Sequence, residues 1–362
     1  MTASSYYSLF AAFAMAAVLA FLLTPPVKDL AGRIGAIDVP KDMRRMHKHP
    51  IPRLGGLAIF LSFLFTTLLF CPMTAALRGT LLGAVVIVVM GVVDDVVALP
   101  AKPKFVVQIL AALIPISCGV RVDVVTNFNI FSSRPYMSLG IFSIPLTLLW
   151  IVGMTNAVNF IDGLDGLAVG VSSIGTFSIL VIAVLVSEGD IALLAAILCG
   201  ACLGFFPYNR NPAKIFMGDT GATFLGYILA TLSVQGLFKM YAVISFFIPF
   251  LIFGLPIFDT AFAIFRRVLS GHSPMEADRG HLHHRLIDMG FSQQQAVAIL
   301  YVVSALLGLS AVLLTTTTLS KALLGIGCAL ILAASAFKIL NHHRAALPHP
   351  NQSGSESKEK RL

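Results

Sequence analysis

Apolar residues run in long unbroken stretches along this chain, and the polar residues gather in short islands between them. Eleven stretches read as membrane-spanning helices: roughly 5 to 24, 54 to 71, 79 to 93, 105 to 119, 140 to 159, 167 to 186, 191 to 206, 220 to 237, 243 to 265, 296 to 316 and 320 to 338. Several lie near or below the roughly 17 residues a helix needs to cross a hydrocarbon core, so their boundaries are soft. The first has no basic leader and runs into Pro25, Pro26 and a basic loop, which reads as a retained helix and not a cleaved signal. No internal repeat and no long polar stretch interrupts the series. The expected fold is therefore an all-α polytopic membrane protein of about eleven transmembrane helices, a single catalytic domain over residues 1 to 340. Residues 341 to 362 carry Pro348, Pro350 and a polar, charged end, the composition of a disordered tail.

Composition strengthens the membrane reading: 57% of residues are hydrophobic, 12% are charged and the mean hydropathy is +0.89, outside the range of soluble domains. The charges also orient the chain. With the amino terminus outside, 20 of the 25 Lys and Arg fall on one side, leaving Arg78, Arg121, Arg134, Lys239 and Lys321 on the other. That asymmetry marks the first side, with the carboxyl terminus, as cytoplasmic. Fourteen of the 17 acids lie on or next to the same side, so any chemistry is expected there. The net charge of +8 then reads as topology and attraction to anionic headgroups. No basic stripe with interleaved aromatics points to nucleic acid. Cys199 and Cys202 form a C-x-x-C among Leu and Ala with no second ligand pair, which reads as packing. The loop from Val120 to Leu139 alternates in a way that suits a short hairpin.

The polar islands carry the candidate chemistry. Asn156, Asn159, Asp162 and Asp165 recur every three residues at the end of an apolar stretch, and Gly163 and Gly166 let the backbone leave the helix and approach a ligand. Polar groups beside membrane spans are costly and functional by default. Asp94 and Asp95 close another span: adjacent carboxylates repel, and a helix carboxyl end disfavours anions, so something positive is needed beside them. A solvated terminus is the plain alternative for Asp94 and Asp95 alone, as is an ordinary Asp-Gly turn for Asp162 and Asp165. Three acidic islands on one membrane face weigh against both.

Asp219, between Gly218 and Thr220, is the first choice as direct ligand of a hard divalent cation that shares its carboxylate with substrate phosphates, and Asp94 is the second. Phe216 offers a face on which a nucleobase can stack. Arg266, Arg267, Arg279, His281, His283 and His284 form a basic, imidazole-rich loop. The histidine spacing suits a phosphate cradle better than zinc, which favours a helical pair and a fourth ligand. Asp259, two turns before Arg266, is read as pairing with a loop arginine or lining the site.

These islands, in this order, resemble the polyprenyl-phosphate N-acetylhexosamine-1-phosphate transferases over about residues 15 to 315. The passages Pro50 to Gly56, Asn159 to Leu167, Lys214 to Gly221 and His281 to His284 look most like the bacterial undecaprenyl-phosphate GlcNAc-1-phosphate transferases of teichoic acid, common antigen or O-antigen synthesis. The loop reads Ile51, Pro52, Arg53, Leu54 where the pentapeptide translocase branch has a Thr-Pro-Thr-Met type sequence, which tilts the sugar towards GlcNAc. The resemblance implies a multi-pass enzyme of the bacterial inner membrane, with a cytoplasmic site that uses Mg²⁺, or Mn²⁺, to join UDP-GlcNAc to undecaprenyl phosphate. It gives Asp94, Asp95, Asp162, Asp165, His281, His283 and His284 a catalytic place. It makes Asn159, Asp162, Asp165 and Phe216 nucleotide contacts, and Lys48 a basic group near the diphosphate. A homodimer is the assembly kept in view. The alternatives are a phospho-MurNAc-pentapeptide translocase-type enzyme and a transporter of a phosphorylated solute; the latter fits poorly, since the acids cluster at one face and not at the midplane.

Overall fold

The computed structural model describes residues 3–40, 49–126, 136–237, 247–271 and 280–315. Lys48, Arg279, the apolar stretch 320 to 338 and the tail fall outside them. Helix α1 (Ala3–Ile34) leads to a hairpin of β1 (Ile37–Asp38) and β2 (Ile51–Pro52), and then to α2 (Gly55–Phe70), α3 (Ala75–Val97) and α4 (Ala101–Ser117). A second hairpin, β3 (Val124–Thr126) with β4 (Tyr136–Ser138), precedes α5 (Ser143–Ile161), α6 (Leu167–Leu185), α7 (Gly189–Asn209) and α8 (Gly218–Gln235). The described chain closes with α9 (Phe247–Ile252), α10 (Gly254–Leu269), α11 (Leu282–Asp288) and α12 (Gln293–Leu314). Apart from the two antiparallel hairpins, the architecture of the described residues is all-α.

Among the described residues, six helical segments are long and apolar enough to cross a membrane: Ser5–Ile34, Ala75–Val97, Gly140–Ile161, Leu167–Leu185, Gly189–Asn209 and Gln293–Leu314. The eleven expected stretches therefore do not translate one for one into helices of spanning length and composition. Helices α2 and α4 are shorter, with 16 and 17 residues, and α8 carries Thr, Ser and Gly along its length. The stretch 243 to 265 splits at Phe253 into α9 and α10. Pro256 has no N–H to give the carbonyl of Ile252, so a continuous helix would lack a bond there, whereas proline fits the first turn of a new one. Helix α10 shows Phe258, Phe262, Phe265 and Leu269 exposed along its length. Helix α1, by contrast, continues through Pro25 and Pro26 instead of ending at them. Thr24 Oγ1 donates to the Ala20 carbonyl at 2.6 Å just before the pair, and packing against α7 and α2 holds the rod.

Helix α8 is the hub. It packs against α2, α3, α5, α6 and α7, and every residue from Thr220 to Val234 is buried. Its hydroxyls are satisfied within the protein: Thr223 donates to Asp219 O and Thr231 to Ile228 O, while Tyr227 donates to Thr80 O of α3. Backbone and hydroxyl groups in a water-poor interior need such partners. The expected hairpin after Val120 is present, with Val124 opposite Ser138 and Thr126 opposite Tyr136. Cys199 and Cys202 are buried free thiols within α7, in keeping with packing.

Candidate active site

The amino end of α8 is assembled from three directions. Gly55 and Gly56, opening α2, donate their N–H groups to the carbonyls of Phe216 and Met217, at 2.9 Å each, and the Phe216 N–H donates to Pro52 O at 2.8 Å. A Cβ on Gly56 would run into the Gly221 backbone, so the first turns of α2 and α8 touch at a distance only glycine permits. From α3, the Asp95 carboxylate accepts from the N–H groups of Asp219 (2.9 Å) and Thr220 (3.1 Å) and from Thr220 Oγ1 (2.6 Å). Gly218, at φ +72°, lies against that carboxylate and leaves no room for a side chain. Asp95 is thus a capping group donated by another helix, and its negative charge lies where the α8 dipole favours one.

This assembly sets out Asp219. Its Oδ2 receives Lys104 Nζ at 2.8 Å, and its Oδ1 accepts from the Asn159 amide at 3.1 Å. Lys104, from the first turn of α4, also reaches Asp94 Oδ2 at 2.9 Å, while Asp94 Oδ1 accepts from the Leu99 N–H at 2.6 Å. The positive group that the Asp94, Asp95 pair demanded is therefore Lys104. Sequence reasoning counted it only towards membrane topology, because 10 residues separate it from Asp94 and 115 from Asp219.

Asp219, Asn159 and Asp162 open into one cleft of about 860 Å³, together with Asp165, Phe216, His284, Lys28, Asp38, His49, Arg53, Asn209 and Lys214. Burial pushes the Asp162 carboxyl up to about 8, helped by the charges of Asp219 and Asp95 and opposed by Arg53. Asp165 instead secures a neighbouring loop. Its Oδ2 accepts from Asn211 Nδ2 at 2.9 Å and from the Ala213 N–H at 3.0 Å, fixing the segment that carries Lys214. Asn209, missed in the sequence, is buried in the cleft wall; Nδ2 donates to Ile215 O at 3.0 Å, and Oδ1 has no hydrogen-bond partner among the described residues.

Not every expected residue reaches the cleft. Asn156 is a correction: its amide donates to Gln108 Oε1 at 2.7 Å and to Val152 O at 2.8 Å, tying α5 to α4. It shares a face with Asn159 but sits almost a turn deeper, where Gln108 meets it. Arg266 and Arg267 are also outside the lining. Arg266 donates to Gly280 O at 3.0 Å and lies beside the Phe262 ring, and Arg267 is buried. Asp259 pairs with His281 Nδ1 at 2.9 Å, with no arginine partner among the described residues, and accepts from the Leu282 N–H at 2.7 Å. The rings of His281 and His283 stack at 5.8 Å, and His284 reaches the cleft. His283 packs against Gly163, where any Cβ would collide with its ring. Burial, with His284 beside it, holds that imidazole down at about 3, so it is neutral and wedges the Asp162 loop without carrying charge.

The donor set fits a hard cation. Lys104 Nζ already stands as a positive charge between two carboxylates, and the oxygens of Asp219, Asp94 and Asp162 suit Mg²⁺. Among the described residues no group of three or more His, Cys, Asp or Glu side chains is arranged to hold a metal alone. A metal here would need ligands from outside the protein, as Mg²⁺ commonly takes from substrate phosphates and water.

The profile of glycosyl transferase family 4 matches residues 77–237, from α3 to the end of α8. A Bacillus subtilis (strain 168) protein named probable undecaprenyl-phosphate N-acetylglucosaminyl 1-phosphate transferase is 41% identical over 313 residues, covering 85% of either chain. The chain belongs to glycosyl transferase family 4. A Mycobacterium tuberculosis (strain ATCC 25618 / H37Rv) decaprenyl-phosphate N-acetylglucosaminephosphotransferase is 36% identical over 79% of this chain and 77% of its own. A Staphylococcus aureus (strain Newman) phospho-N-acetylmuramoyl-pentapeptide-transferase is 30% identical over 82% of this chain and 95% of its own. The family segment ends with α8, so it contains Asp94, Asp95, Lys104, Asn159, Asp162 and Asp219 and excludes the histidine loop.

Proposed function

We propose that this protein transfers GlcNAc 1-phosphate from UDP-GlcNAc to undecaprenyl phosphate, giving undecaprenyl diphosphate-GlcNAc and UMP, the first step of a lipid-linked envelope glycan. The observation that carries the reading is the convergence of Asp219, Asp162, Asn159 and Phe216 in one cleft, in a chain 41% identical to a relative named for this transfer. The relative named for phospho-N-acetylmuramoyl-pentapeptide transfer is less similar, at 30%. The protein sits in a bacterial inner membrane with its amino terminus outside, its apolar stretches crossing about eleven times and the cleft facing the cytoplasm. The charge asymmetry supports that orientation. An isoprenoid acceptor cannot leave the bilayer, so its phosphate meets the donor where the cleft opens.

In the reaction, an acceptor phosphate oxygen bonds to the donor's β-phosphorus, the bridge from that phosphorus to the α-phosphate breaks, and UMP leaves with the electron pair. Mg²⁺, held by Asp219 with Asp94 nearby, would neutralise charge on the transferring phosphate. Asn159 fixes the Asp219 carboxylate, and Phe216 supplies a stacking face for the base. A phosphate monoester has a second pKa near 6, so the acceptor is already largely dianionic at neutral pH and needs no strong base. Positioning and electrostatics then carry most of the work. The test uses purified protein with UDP-GlcNAc labelled at the β-phosphate: label moves into organic-extractable lipid, EDTA stops it and Mg²⁺ restores it. Label that stays in water overturns the reading, and turnover untouched by EDTA overturns the metal.

A further inference from the structure

Arg53 lines the cleft, and the surrounding chain is built to hold it there. The hairpin pairs Asp38 with Ile51 and Ile37 with Pro52, and the Arg53 N–H donates to Ala36 O at 2.8 Å. Its guanidinium Nη2 donates to Asp38 Oδ1 at 2.9 Å. The Asp38 side chain is 9% exposed and that of Arg53 33%, so a buried carboxylate anchors a half-open cation. The next residue, Leu54, is fully buried at φ +90°, a left-handed conformation that a branched side chain avoids. Strain of this kind persists where the surroundings impose it, and here the Phe216 and Met217 carbonyls, bonded to Gly55 and Gly56, impose it. The chain therefore turns sharply just after Arg53, tied to the same loop that carries Phe216 and leads into Asp219.

A lock for the hairpin would need only one of the five guanidinium donors, and a half-exposed ion pair stabilises little by itself. Arg53 is the one arginine among the described residues of the cleft wall, and the planar fork of arginine matches two phosphate oxygens at once. We propose that Arg53, aimed by Asp38, is the phosphate-gripping residue of this cleft, binding paired phosphate oxygens while Asp38 acts as its positioning residue. The proposal rests on the transferase reading and adds a residue to it. The diphosphate of the donor and the phosphate of the lipid acceptor present the same chemistry. Closeness to Phe216 favours the donor.

The experiment measures UDP-GlcNAc dissociation by titration calorimetry without acceptor, and then KM for undecaprenyl phosphate at saturating donor. Arg53→Ala raises the donor Kd about tenfold or more, the worth of a charge-assisted hydrogen bond. Arg53→Lys, which keeps the charge and loses the fork, recovers only part of it. Asp38→Asn weakens donor binding in the natural background but adds little on top of Arg53→Ala, as a residue acting through Arg53 must. A rise confined to the acceptor KM assigns the grip to the lipid phosphate and also supports the proposal. Unchanged donor Kd and acceptor KM in Arg53→Ala, with label transfer intact, overturn it and leave the transferase reading standing. Absence of transfer and of donor binding in the unaltered protein overturns both.

Discussion

Asp94 and Asp95 are neighbours in the chain with different partners: Asp94 meets Lys104 and the turn into α4, while Asp95 receives three hydrogen bonds from the start of α8. Asparagine at position 95 would offer one oxygen and turn its NH₂ towards donors. The unsatisfied groups cost roughly 1–3 kcal/mol, and Asp219 shifts with its helix. A displacement near 1 Å at a reacting group costs on the order of 100-fold in rate. Asp95→Asn is therefore expected to lose activity and melting temperature together, with the loss equal at neutral and alkaline pH. Recovery of the rate at high pH, at unchanged melting temperature, would instead make Asp95 a base. The acids were legible at this scale because a carboxylate beside an apolar stretch is costly to keep unless it meets a partner or a ligand. Lys104 and Arg53 were not, since a single basic residue in a cytoplasmic loop already has a reason to be there. Asn156 misled because helical spacing gives a face but not a depth.

Among the elements, α8 decides where the chemistry sits, and its seat is made of glycine. Gly56 and Gly221 face each other across the α2 and α8 backbones, and a methyl group on Gly221 would meet both the Gly56 Cα and the Met217 side chain. Overpacking of this sort costs typically about 1–3 kcal/mol. Gly221→Ala should accordingly lower the melting temperature in detergent and reduce turnover about tenfold or more, although no atom of Gly221 touches substrate. An unchanged melting temperature with normal turnover would show that α2 and α8 can separate without consequence. The apolar stretches were legible as helices, but their ends were less so. The first apolar stretch stops at Pro25, yet packing against α7 carries α1 onward, whereas the stretch 243 to 265 shows no gap at Pro256 and the helix breaks beside it. Tertiary contact decides which of these a proline does.

At the scale of the molecule, everything proposed for the cleft requires it to open on the cytoplasmic side. Lys214 stands exposed on its rim, whereas Cys71, at the far end of α2, lies beside Glu188 and Asp190. A chain carrying Lys214→Cys with Cys71, Cys118 and Cys328 replaced by alanine keeps, besides the new thiol, only Cys199 and Cys202 of the five native cysteines, and both are buried. A membrane-impermeant maleimide should then label inside-out vesicles and spare intact cells, and prior incubation with UDP-GlcNAc and Mg²⁺ should slow the labelling. Labelling from the outside would invert the topology that the lysines and arginines imply. It would also place the nucleotide site where a cytosolic sugar nucleotide never arrives, so the transfer reaction would fall with it. The reverse result joins two independent lines, the charge bias of the loops and the convergence of the acids, since a site for a cytosolic donor and a bilayer-bound acceptor has to lie on the face that the basic residues mark.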